Sequence, residues 1–248
     1  MSLETELEDL ELCRTYVVSQ LEEQERSSAL AEWPESGPAI TISSQTGAGA
    51  HAVARHLARI LQEDLPGGSP AWTVFDRQLV EKVLEEHHLP KALAKLMPED
   101  RRSYIKDVME ELVGLRPPSW VMASQVAETI LHLVEAGHVI LVGRGASFIT
   151  ARMPNVFHVR LIASLPKRVE RVQTANGLTA EEAARFVART DRGRGRYARA
   201  HFHGHVEDNL LYHLVINTDR IPCPAAAQLT AAGARQSFRS ADAANKRS

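Results

Sequence analysis

A chain of 248 residues with 44% apolar and 24% charged side chains has the length and balance of one ordinary globular domain. No run of about 18 apolar residues is available to span a membrane, and Met1–Glu4 lack the basic and apolar regions of a secretory leader, so the expected compartment is the cytoplasm. Cys13 and Cys223, the two cysteines, make neither a disulfide framework nor a CxxC zinc pair.

The net charge of −2 conceals two unlike parts. Residues 1–37 carry ten acids against Arg14 and Arg26, net −8, and the remainder carries 27 basic against 21 acidic side chains, net +6. A basic body suits anionic ligands such as nucleotide phosphates.

Leu3, Leu7, Leu10, Arg14, Val17 and Leu21 advance by threes and fours, which predicts one acidic helix over 3–31, packed on its own domain or docking a protein partner or a second copy. Trp33-Pro34 and Ser36-Gly37-Pro38 end it. A strand over 39–43 then leads through Ser43-Ser44-Gln45-Thr46-Gly47-Ala48-Gly49 into a helix over 50–61. A second strand over 72–75 ends at Asp76, with helices expected over 77–87, 91–115 and 119–136. Val139–Val142 is a continuous apolar run, as in a strand buried on both faces, and ends in Gly143-Arg144-Gly145. Strands over 155–162 and 214–217 and helices over 166–174 and 179–199 follow. Beyond Ile221 the Ala-, Ser- and Arg-rich chain is expected to be a disordered tail. Strands alternating with helices imply an α/β, doubly wound parallel sheet with ligands at the carboxyl ends of its strands.

Glycines between a strand and a helix let backbone N–H groups converge on an anion, and the helix N-terminus adds positive potential. Gln45, Thr46, Gly47, Ala48, Gly49, Ala50 and His51 are therefore the candidate phosphate-binding residues. Against the pattern GxxxxGK[ST], Gly49 fits the second glycine, Ser44 stands at the first, Ala50 at the lysine and His51 at the hydroxyl. A strand-to-helix turn alone would look the same.

Arg185, Arg189, Arg192, Arg196 and Arg199 are spaced 4, 3, 4 and 3, so a helix lines them on one side. That stripe is either a solvated basic face or an anion clamp. Arg194 lies beside it, and Gly193 and Gly195 weaken the helix there, as suits a closing lid. Asp76 and Arg144 stand at strand ends, where such a sheet binds its ligand. His201-Phe202-His203-Gly204-His205 lacks companion ligands, so no metal site is expected, and the sparse aromatics, 5%, give no base-stacking surface for nucleic acid.

In this order, these segments resemble the cytidylate kinase-like family of P-loop nucleotide kinases. Ile40–Ala54 is similar to its first strand and phosphate loop, and Val74–Val80 to its aromatic-aspartate-basic-leucine segment. Val139–Ala146 is similar to its valine-glycine-arginine-glycine-alanine strand end, Val156–Val172 to its Arg-Val-Glu-Arg segment, Arg189–Tyr197 to its lid and Leu214–Thr218 to its closing strand. The resemblance covers about 39–221. It implies a five-stranded P-loop kinase-like domain over 38–221, with a helical acceptor insertion over 77–136 and an arginine-rich lid over 179–205, flanked by the acidic segment 1–37 and the tail 222–248.

It also implies transfer of the ATP γ-phosphoryl group, with Mg2+, to a nucleoside monophosphate, CMP or dCMP. Asp76, Arg77, Arg144 and Asp191 would hold the acceptor, and Arg189, Arg192, Arg194 and Arg196 would act catalytically on the phosphates. The family usually has an arginine where this chain has Ser44, a basic residue at His51, and in active relatives a lysine at Ala50. Two alternatives therefore stay open: a non-catalytic nucleotide-binding or interaction protein on the same fold, and a polyanion-binding module using the arginine stripe.

Overall fold

The computed structural model describes residues 11–13, 15, 16, 19, 37–63, 65, 71–76, 121–143 and 145–245, for 121–125 and 241–245 the backbone alone. Five strands form one sheet: β1 (Ala39–Ser44), β2 (Thr73–Phe75), β3 (Val139–Val142), β4 (Val156–Ile162) and β5 (Leu214–Asn217). All pairings are parallel, and the strands lie in the order β2-β3-β1-β4-β5. The helices are α1 (Ala50–Gln62), α2 (Val121–Ala136), α3 (Ala146–Ile149), α4 (Leu165–Asn176), α5 (Ala180–Phe202) and α6 (Cys223–Asn245). Among the described residues no helix is long and apolar enough to cross a membrane.

A parallel sheet must be covered on both faces, and strand alternation supplies two cores. Ile40, Ile42, Val159 and Leu161 pack under Val53, Leu57 and Leu61 of α1 and the alanines of α6. Ala39, Phe75, Val139, Leu141 and Val156 pack against α2 and α3 on the other face. Cys13 and Tyr16, on helical backbone, join that second core. The Tyr16 hydroxyl donates to the Gly137 carbonyl, and its ring meets Phe75 edge-on with centroids 5.7 Å apart. These two residues of the acidic N-terminal segment thus pack on the body. Residues 11, 12, 15 and 19 are helical too; the remainder of that expected helix, and those over 77–87 and 91–115, lie outside the described residues.

The expectation of a disordered tail after Ile221 is corrected: Cys223–Asn245 is helix α6. Ala226, Ala227, Ala231 and Ala234 are fully buried against the sheet. A Cβ on Gly233 would come within 3.0 Å of the Phe157 ring. Alanine is the best helix former, and small side chains let the helix approach closely. The same composition reads as low complexity when only large apolar residues are taken as the core signal. Local signals did set α5, whose Thr179–Glu182 capping box is complete.

One polar seam crosses the second face. Thr41 Oγ1 and His158 Nδ1 share a 2.7 Å hydrogen bond, and the His158 backbone N–H donates to His213 Nδ1 at 2.9 Å. Burial, then the neighbouring His213, pushes His158 down to about 4 from the ordinary 6.5. Burial lowers His213 as well. Between pH 6.5 and 4 the unfolded chain takes up a proton that folded His158 does not, so stability is full above 6.5 and is lost as pH falls through that window. Denaturant unfolding at pH 7, 5.5 and 4.5 is expected to show stability falling with pH, by up to about 3 kcal/mol from His158. His158→Gln should flatten this dependence.

Candidate active site

The loop after β1 enters α1 on one face of the sheet, and the loop after β3 enters α3 on the other, both at the carboxyl edge where such sheets bind ligand. Gly47 and Gly49 take φ of 83° and 89°, the left-handed region where a Cβ is strained. A Cβ on Gly47 would also lie 2.5 Å from the Arg168 carbonyl oxygen, and one on Gly49 would lie 2.8 Å from Cys223 Sγ. Both conformation and close approach therefore demand glycine.

The loop is fastened by its own side chains and by three arginines. Gln45 turns to β4, accepting the Ala163 N–H on Oε1 at 2.9 Å. The Thr46 N–H and hydroxyl donate to one oxygen, Oδ1, of Asp191 at 2.9 and 2.7 Å. Asp191 Oδ2 accepts from Arg168 Nη1 at 2.6 Å, and Arg168 also donates to the carbonyls of Ala163 and Thr46. Arg171 donates to the Gly47 carbonyl at 3.3 Å and to Thr218, whose hydroxyl donates to the Ala48 carbonyl at 3.0 Å. Arg194 donates to the Ser44 carbonyl at 2.7 Å.

Arg168 and Arg171 were not singled out from the sequence. The available signal was their i, i+3 spacing just after Pro166 at the start of α4, which puts both on the side facing the loop. The cleft beyond Arg171, about 570 Å³, is lined by Lys167, Glu170, Thr218, Asp219 and Arg220. The Ser164 N–H donates to Asp219 at 2.8 Å, and hydrogen bonding to Ser164 holds that carboxyl below its usual range.

The expected site residues divide. Asp76, at the end of β2, comes to the start of α1, its Oδ2 3.7 Å from His51 Nδ1. Ala50 is buried. Arg77 and Arg144 lie outside the described residues. Asp191 meets the loop rather than the β2 end, so its observed partners are Thr46 and Arg168. At about 100° per residue, Arg189, Arg192, Arg196 and Arg199 fall on the side of α5 away from its buried Ala183, Val187, Gly195 and Ala198. There they line a separate cavity of about 290 Å³, while Arg185 pairs with Glu181 at 2.9 Å. Of the four expected phosphate-clamping arginines, Arg194 is the one bonded to the loop.

Residues 39–220 match the family described as the cytidylate kinase-like family. An uncharacterized protein from Eubacterium ventriosum, solved as a crystal structure, aligns with 77% of this chain and 94% of its own at 19% identity and a TM-score of 0.58, which shows a shared fold. Shikimate kinase from Acinetobacter baumannii, solved with shikimate, aligns over 78% and 90% at 15% identity, but its TM-score of 0.37 is too low to carry an argument. A uronate isomerase of Corynebacterium glutamicum is 38% identical over 97 residues, 39% of this chain. The match spans only 18% of that enzyme's length.

Two glycine substitutions separate backbone strain from the loop's close packing. Gly177 has a φ of 62° and open space around its Cβ position, so Gly177→Ala should lose about 1–2 kcal/mol from the left-handed backbone alone. Gly47→Ala adds the clash with Arg168 and should lose more than that. Denaturant titration of both variants measures the difference.

Proposed function

Because the chain belongs to the cytidylate kinase-like family, we propose that it is a nucleotide kinase moving the γ-phosphoryl group of ATP to a nucleoside monophosphate, CMP or dCMP. The observation that carries this reading is the grip of the loop on an anionic oxygen. Thr46 gives Asp191 Oδ1 two hydrogen bonds, 2.9 Å from N–H and 2.7 Å from the hydroxyl. A phosphate oxygen asks the same of such a loop.

In this reading the donor's phosphates lie against Thr46–Ala50 at the start of α1, and its nucleoside part enters the cleft between α4 and the turn after β5. The acceptor enters from the Asp76 side. An oxygen of the acceptor phosphate attacks the γ-phosphorus in line, the bond to the β,γ-bridging oxygen breaks, and ADP and a nucleoside diphosphate leave. Charge builds on the three equatorial oxygens, and Arg194 is the cation on α5 placed to meet it. Magnesium would arrive with the nucleotide, since it prefers phosphate oxygens plus one or two carboxylates. Asp76 at the mouth of the loop fits that need.

A second reading is favoured by Ala50 and His51: a nucleotide-binding protein with little or no turnover. No lysine reaches from the start of α1 to the transferring group. His51 is 55% exposed and faces Asp76, and it is a weaker substitute for a fixed cation. Loss of one preorganised charge-stabilising contact lowers turnover roughly 10²–10³-fold.

A coupled assay with ATP, Mg2+ and a panel of monophosphates decides between them. Slow turnover, fastest with CMP or dCMP, is expected. Tight ATP binding with no turnover at micromolar enzyme would leave only the second reading.

A further inference from the structure

β4 buries Phe157, Val159 and Leu161 under α1 and α6, so His158 and Arg160 point to the opposite face. Arg160 is 5% exposed. Its Nη1 donates to Ser43 Oγ at 2.7 Å, and its guanidinium carbon lies 5.9 Å from the centre of the Tyr212 ring. The Tyr212 hydroxyl in turn donates to Ser43 Oγ at 3.2 Å and to the Val206 carbonyl at 2.9 Å. Among the described residues no carboxylate lies within ion-pair distance of Arg160, and one of its five N–H donors is used. Buried charges are normally paired, because desolvation disfavours a lone ion. Contrast Arg168, similarly buried, whose charge meets Asp191.

The place of Arg160 in the fold indicates where its counter-ion comes from. It stands in register with Ser43, one residue before the loop, at the carboxyl edge where the sheet opens to ligand. Arg194 of α5 reaches the same point through the Ser44 carbonyl. The described protein groups there supply a ring, a hydroxyl and carbonyl dipoles, but no formal negative charge. A phosphate group would complete the pair, and a guanidinium with free parallel N–H groups suits it.

We propose that Arg160 is a phosphate-binding residue of the nucleotide site, with a phosphate of the bound nucleotide as its missing counter-ion. This rests on the reading of the loop as a nucleotide site. The phosphate belongs either to the donor's γ position or to the acceptor, and the same chemistry serves both.

The test uses the full chain, wild type against Arg160→Met and Arg160→Lys, with calorimetric titration of ATP, ADP, CMP, cytidine and inorganic tripolyphosphate. Thermal unfolding without ligand accompanies it. Arg160→Met should unfold at the same or a higher temperature, because a lone buried charge is replaced by an apolar chain. It should lose about 10- to 100-fold in one phosphate preference, ATP over ADP for a donor contact or CMP over cytidine for an acceptor contact. Arg160→Lys should recover part of the loss. Both preferences unchanged in Arg160→Met would overturn the proposal, as would an equal fall for all ligands with a lowered unfolding temperature, the mark of a structural role. Weakened tripolyphosphate binding in Arg160→Met, beside a wild type without turnover, would sustain the proposal and remove the kinase reading. A wild type that turns over while the variant keeps both preferences does the reverse. Binding of none of the five by the wild type would overturn both.

Discussion

Asp191 lies 145 positions along the chain from Thr46, and its carboxylate closes that distance by taking the Thr46 N–H and hydroxyl on one oxygen and Arg168 on the other. Three elements meet in that group: the loop after β1, the start of α4 and the middle of α5. The helix could not hold this position by propensity. Gly193 and Gly195 weaken it just past Asp191, and its arginine stripe repels itself. The contact to the loop offsets both, and it brings Arg194 to the Ser44 carbonyl.

Three arginines surround the loop, which has Ala50 at the usual lysine position. Arg168, Arg171 and Arg194 each donate to a loop carbonyl, which turns those carbonyl dipoles toward cations, while the amides of Gln45, Thr46 and Ala48 are bonded to Leu161, Asp191 and Gln45. Their charge also raises the local positive potential, although Arg168 and Arg171 donate to the loop, Ala163, Asp191 and Thr218. Such a collar favours binding more than transfer. Transfer needs a cation that follows the moving phosphoryl group, and within the described residues Arg194 and Arg160 are the candidates.

The strands, the glycine loop and the long helix were legible in the sequence because each rests on local chemistry. β3 is an unbroken apolar run, Gly47 and Gly49 take a backbone that glycine prefers, and Thr179–Glu182 caps its own helix. Both layers of helices then follow from burying two faces. The rest depends on contacts far apart in sequence. Spacing put five arginines on one side of α5, but could not say which side faces the loop. The answer is the side with Asp191 and Arg194. Arg168 and Arg171 gain their meaning only when α4 is docked beside the loop, and α6 was missed because its buried face is made of alanine. Arg160 gains its meaning only when β4 is paired with β1, which brings it to Ser43.

Asp191 couples α5 to the glycine loop as one unit, and amide hydrogen exchange on Asp191→Ala tests this most directly. Exchange should quicken together in 45–48 and 188–195, with the β1 and β4 amides still protected. Faster exchange in 188–195 alone, with the loop amides as slow as in the wild type, would contradict it.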